Sequence, residues 1–103
     1  MADSTAILYQ HAGPTNTPSI ASAATALAAN PARGAWMIQN LGQNALFVRL
    51  GAGASTSVFH AVLKGSSAND DGTGGTIAQE AGTVYTGEIT IAGTSPRYTV
   101  LEI

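Results

Sequence analysis

The chain predicts an all-β domain, an antiparallel β-sandwich or jelly-roll-like barrel of six to eight short strands. Two observations carry the prediction. Short apolar runs rich in Val, Ile, Leu and aromatic residues recur at intervals of about 8–12 residues, each bounded by Gly, Pro, Asn or Ser. The clearest of them, Glu88-Ile89-Thr90-Ile91-Ala92, alternates polar and apolar with the period of a half-buried strand. A third, the 103-residue length, allows one domain with one modest core.

Taken in order, Met1 to Thr5 read as a loose start, and Ala6–Gln10 as a short strand closed by the turn His11-Ala12-Gly13-Pro14. Thr15-Asn16-Thr17-Pro18 is loop chemistry, since proline cannot donate to a ladder. Ile20–Ala29 reads two ways. Its alanines favour a helix, with Ser19 as cap and Asn30-Pro31 as stop. Such a helix would bury almost nothing but alanine, so we read the segment as extended. Residues 1–18 thus form an N-terminal arm with a first strand, and residues 19–103 the sandwich domain.

From there strands are expected at Ala35–Asn40, Ala45–Leu50 and Val58–Leu63. The first two are joined by the hairpin turn Leu41-Gly42-Gln43-Asn44. Gly51–Ser57 is a loop, and Ser66–Gly75 is a longer one whose glycines and aspartates predict exposure and mobility. Short strands are expected at Thr76–Ala78 and Thr83–Tyr85, then longer ones at Glu88–Ala92 and Arg97–Ile103. A last strand running to Ile103 predicts that the final residues are tied into a sheet.

Composition narrows function. Only 10% of residues are charged, against about 25% in an average soluble domain. A surface this poor in charge predicts cover by neighbouring molecules. Net charge is −2, and the four basic residues, Arg33, Arg49, Lys64 and Arg97, form no run, so nucleic acid is not an expected partner. No cysteine is present, which removes disulfides, thiolate metal sites and a cysteine nucleophile. No secretory signal and no apolar run near the ~20 residues of a membrane span are visible. The expected setting is therefore soluble and cytoplasmic, with no membrane partner.

Reactive chemistry finds little to work with. His11 and His60 are far apart and lack the spacing of a metal site. Asn69–Gly75 could offer oxygens to a hard cation, but it lacks the alternating acids and distal Glu of a calcium loop. The carboxylates Asp3, Asp70, Asp71, Glu80, Glu88 and Glu102 suggest no facing pair across a cleft, and Glu88 and Glu102 fit the polar faces of strands. Nothing resembles a nucleophile elbow or a phosphate loop. The expectation is no enzyme, no cofactor and no metal. Tyr9, Trp36, Phe47, Phe59, Tyr85 and Tyr98 are read as core. Arg33 and Arg97 each follow a proline turn and precede a strand. They are either solvated charges or guanidinium forks tying loops or subunits together, with Glu88 or Glu102 as candidate partners.

Two stretches carry a family resemblance. Leu27–Gly51 holds L-x-x-N-x-x-R, an apolar strand ending in Gln39-Asn40, a Gly/Asn turn and a second apolar strand ending in Gly51. Tyr85–Val100 holds G-x-I-x-I-x-G, and Arg97–Glu102 continues it as R-Y-x-V-x-E. These resemble small structural proteins of tailed bacteriophages, over about the last three-quarters of the chain. The resemblance implies a virion component that sits on capsid subunits as a dimer or trimer, such as a capsid decoration (cement) protein.

The expected function is stabilisation of a phage head by contacts to the major capsid protein and to other copies of the chain, a trimer being favoured over a dimer. The location would be the capsid surface, after a passage through the host cytoplasm. Interface candidates are Ile7, Tyr9, Pro14, Pro18, Arg33 and Arg97. The alternative is a tail, fibre or adhesion module binding host carbohydrate or protein, which expects exposed aromatics near Ser66–Gly75.

Overall fold

The alternating apolar runs become strands, and no helix forms among the residues that the computed structural model describes, 15–17, 22–80 and 82–103. Eight strands are present among them: β1 (Thr15–Thr17), β2 (Ala23–Leu27), β3 (Trp36–Asn40), β4 (Leu46–Leu50), β5 (Ala61–Leu63), β6 (Thr76–Gln79), β7 (Ile89–Gly93) and β8 (Tyr98–Glu102). They form two four-stranded sheets, β1-β8-β3-β6 and β2-β7-β4-β5, and every pairing is antiparallel.

The pairing is nested: β1 with β8, β2 with β7, β3 with β6 and β4 with β5. A long hairpin rolled up on itself gives this order, which is the jelly roll expected as one of the two β architectures. Its core is the pair of inner faces. Trp36, Ile38, Tyr98 and Val100 from the first sheet meet Leu27, Leu46, Val48, Leu63, Ile89 and Ile91 from the second. Period-two alternation is plain in β3, whose burial runs buried, half-buried, buried, half-buried, buried. Each large apolar side chain placed inside contributes about 1.5–3 kcal/mol.

β7 departs from that pattern, because all five of its residues are buried. The cause is the connector after β4, which folds back over the outer face. Thr90 Oγ1 donates to the Gly51 carbonyl at 2.6 Å and accepts the Ala54 N–H at 3.1 Å, and Ala54 is itself buried.

Several sequence expectations change. Thr15–Thr17, read as loop, is an edge strand on β8. The sheet therefore begins before residue 19. The strand expected at Thr83–Tyr85 is absent: Gly82 has φ of 114°, and the Tyr85 N–H donates to Gln79 Oε1 at 2.9 Å instead of to a neighbouring strand. The strand expected over Val58–Leu63 keeps only Ala61–Leu63, because Val58 turns back to pair with Ser55. The Ile20–Ala29 segment is extended, as β2. The expected strand at Ala6–Gln10 lies outside the described residues.

Candidate interaction surface

The strand connections gather at the two ends of the sandwich, and each end is tied by one polar hub. At one end meet the β2–β3 and β6–β7 connections and the end of β8. Arg33 sits among them with none of its side chain exposed. Its Nε donates to Glu102 Oε2 at 2.7 Å, Nη1 to the carbonyls of Tyr85 and Gly87 at 2.8 and 3.0 Å, and Nη2 to the carbonyl of Ala28 at 2.6 Å. Pro31 follows Asn30, whose side chain accepts the Ala32 N–H, and this turn aims Arg33 inward. The reading of Arg33 as a solvated charge is thus overturned. It is the loop-tying fork, with Glu102 as partner, and its guanidinium serves its own chain. Ile103 exchanges backbone hydrogen bonds with Ala35, so the last residues are held in the sheet.

At the other end meet the β3–β4, β5–β6 and β7–β8 connections, around buried Asn40. Its Nδ2 donates to the carbonyls of Asn44, Leu63 and Lys64 at 2.8, 3.1 and 3.2 Å, and its Oδ1 accepts the Gly42 N–H at 2.9 Å. Gly74 lies so near that a Cβ there would overlap the Asn40 carbonyl oxygen. Arg97 is outside this hub and half-exposed. It pairs with neither Glu88 nor Glu102 but with Asp70, to which Nε donates at 2.8 Å and Nη2 donates as well. The Arg97 guanidinium holds the Asp70 carboxyl below its ordinary range, and Asp70 raises Arg97 in return.

Asp70 and Asp71 lie in the loop singled out as mobile and as a possible cation cradle. The loop is exposed, but it is stitched. Asp71 accepts the hydroxyl and N–H of Thr73 at 2.6 and 2.9 Å and the Ala68 N–H at 2.8 Å. The Thr73 hydroxyl bond, with the backbone bonds of Thr73 and Ala68 behind it, pushes the Asp71 carboxyl below its ordinary range. Both carboxylates thus face protein donors. No group of three or more His, Cys, Asp or Glu side chains converges among the described residues.

The other polar candidates serve the fold. His60 Nδ1 accepts the Leu50 N–H at 3.0 Å, and Glu88 accepts the Thr25 hydroxyl at 2.6 Å. Trp36 is buried in the core, its Nε1 donating to Gln79 at 2.9 Å. His11, Ile7, Tyr9, Pro14 and Pro18 lie outside the described residues.

The feature that the sequence reading missed is an apolar outer face on the second sheet. Val58, Phe59 and Val62 are 41, 40 and 47% exposed. Phe59 was expected in the core. It instead stacks edge-on against Phe47, with ring centroids 5.1 Å apart, and Phe47 lies opposite Val62 across the β4–β5 ladder. The signal was present: Val58-Phe59-His60-Ala61-Val62-Leu63 is apolar at nearly every position, so a strand there must show apolar groups on both faces. The first sheet has a counterpart, a depression of about 210 Å³ lined by Ala35, Met37, Ala78, Glu80, Leu101 and Ile103. Among the described residues, exposed aromatics do not gather at Ser66–Gly75.

Comparisons with protein-family models, with curated proteins and with solved structures find no match to this chain.

Proposed function

We propose that this chain is a virion structural protein, a capsid decoration (cement) protein that stabilises a phage head by protein–protein contact. One observation carries the reading: Phe59 and Val62 stand 40% or more exposed around Phe47 on one sheet face, with equally exposed Val58 in the adjoining connection, on a small domain with few charges. Uncovered apolar groups that cluster in this way mark surfaces meant for a partner. The polar residues with chemical potential are engaged in holding loops: Arg33, Asn40, His60, Asp70 and Asp71 each have protein partners. The resemblance of Leu27–Gly51 and Tyr85–Glu102 to small tailed-phage structural proteins supplies the virion setting. The jelly roll adds no weight by itself, because the same roll serves capsid proteins, lectins and enzymes.

The proposed partners are the major capsid protein and further copies of this chain. An interface of the usual ~1,600 Å² at each contact, repeated over a lattice, makes weak single contacts effective together. The expected outcome is saturable binding of the purified protein to preformed phage shells, with a rise in the temperature at which shells rupture. Val62→Glu should lose both while melting like the parent protein. Removal of residues 1–12, which leaves β1 in place, tests the arm: occupancy should fall. Full occupancy and unchanged rupture with Val62→Glu would contradict the proposal.

A further inference from the structure

We propose that copies of this chain associate head to tail, the outer β4–β5 face of one copy resting on the outer β3–β6–β8 face of the next. The inference rests on the assembly reading above and names the self-contact within it. It starts from where the charges are. Of four basic residues, Arg33 and Arg97 are already paired, to Glu102 and Asp70. The other two, Arg49 and Lys64, have no such pair among the described residues, and both flank the exposed apolar cluster. Arg49 follows inward Val48 and Lys64 follows inward Leu63, so strand alternation returns both to the outer face beside Phe47 and Val62. Arg49 Nε is buried with no hydrogen-bond partner, so the charge of this guanidinium is not neutralised from within the described residues.

The opposite side of the sandwich is its complement. Met37 lies across from Ala78 on one neighbour and Leu101 on the other. Together with Ile103 they line the apolar depression, and exposed Glu80 stands at its margin. The β4–β5 part of one side is thus apolar with two cations, the Glu88 carboxylate on that side being taken by the Thr25 hydroxyl, and the other side is apolar with a carboxylate. Two copies brought together on the same β4–β5 face would set Arg49 and Lys64 against their own kind, whereas unlike faces meet with opposite charge and matching apolar centres. A contact between unlike faces is heterologous and can propagate or close into a ring.

The test uses two variants that each block one face with a like charge at an exposed position. Val62→Glu places a carboxylate opposite Glu80, and Ala78→Lys places a cation opposite Arg49 and Lys64. Sedimentation velocity, with melting curves as a folding control, should show assembly of the parent protein and monomers of each variant alone. An equimolar mixture should give a discrete heterodimer, since one intact face remains on each variant. A monomeric parent protein, a variant that still self-associates, or a mixture that stays monomeric would each overturn the pairing. Shell binding in the same samples separates the two readings. A monomeric parent that binds shells sinks the head-to-tail contact alone, while an assembling parent that ignores shells sinks only the decoration reading.

Discussion

The two ends of the sandwich solve the same problem with different chemistry. Each must hold three chain segments together without a disulfide. The Arg33 end does so with one buried guanidinium that reaches a carboxylate and three carbonyls from three separate stretches of chain. The Asn40 end does so with a neutral amide among backbone groups, and adds the Arg97–Asp70 pair outside, where water reaches both partners. The difference is one of burial. A shielded charge with every guanidinium nitrogen bonded is indispensable once built, because removing it strands its partners. An exposed pair exchanges its contacts for water and loses little.

The largest effect is expected from Arg33→Ala, a loss of about 3–5 kcal/mol of unfolding free energy in denaturant titrations. Arg33→Lys should recover little of it, since one ammonium cannot span four acceptors in the plane of a guanidinium. Equal stability of Arg33→Lys and the parent would break the comparison. Asn40→Ala should follow at about 3 kcal/mol, from unpaired buried carbonyls and the Gly42 N–H.

How far these hubs could be read from the sequence depends on whether their partners are local. β3, β4, β7 and β8 were legible because alternation is a property of the strand itself. Thr15–Thr17 was not, since its strand character comes from β8, some eighty residues away. Arg33 could be narrowed to a fork with Glu102 as a candidate, because both sit beside strand ends. Arg97 could not be matched to Asp70, because the two meet only when the β5–β6 and β7–β8 loops stack. The exposure of Ser66–Gly75 followed from its glycines, while its internal stitching by Asp71 depends on a loop geometry that composition does not encode. The apolar outer face was present as an unbroken apolar run, but the inference that all aromatics are core concealed it.

The smallest effect is expected at the exposed pair. Arg97→Ala should lower the melting temperature less than Asn40→Ala, and the difference from the parent should shrink in about 1 M salt, where the Debye length is near 3 Å. The acid response has a defined sign. Asp70 and Asp71 are held below the ordinary aspartate range in the folded chain, so the unfolded chain takes up protons first. Their contribution is present above the ordinary aspartate value and disappears as pH falls through the lowered folded values. Acid melting curves should therefore show a loss in the parent that Arg97→Ala partly lacks, and an identical acid response in the two proteins would break this part of the comparison.

Both ends turn their polar groups inward to the chain, which leaves the broad outer faces as the surfaces available to others. Hydrogen exchange of the protein free and bound to shells measures this directly. Protection concentrated in Val58–Leu63 and Thr76–Gln79, with 28–34 and 66–75 unchanged, is the predicted pattern. Protection confined to those two loop regions, with the β5 and β6 segments exchanging as in the free protein, would contradict it.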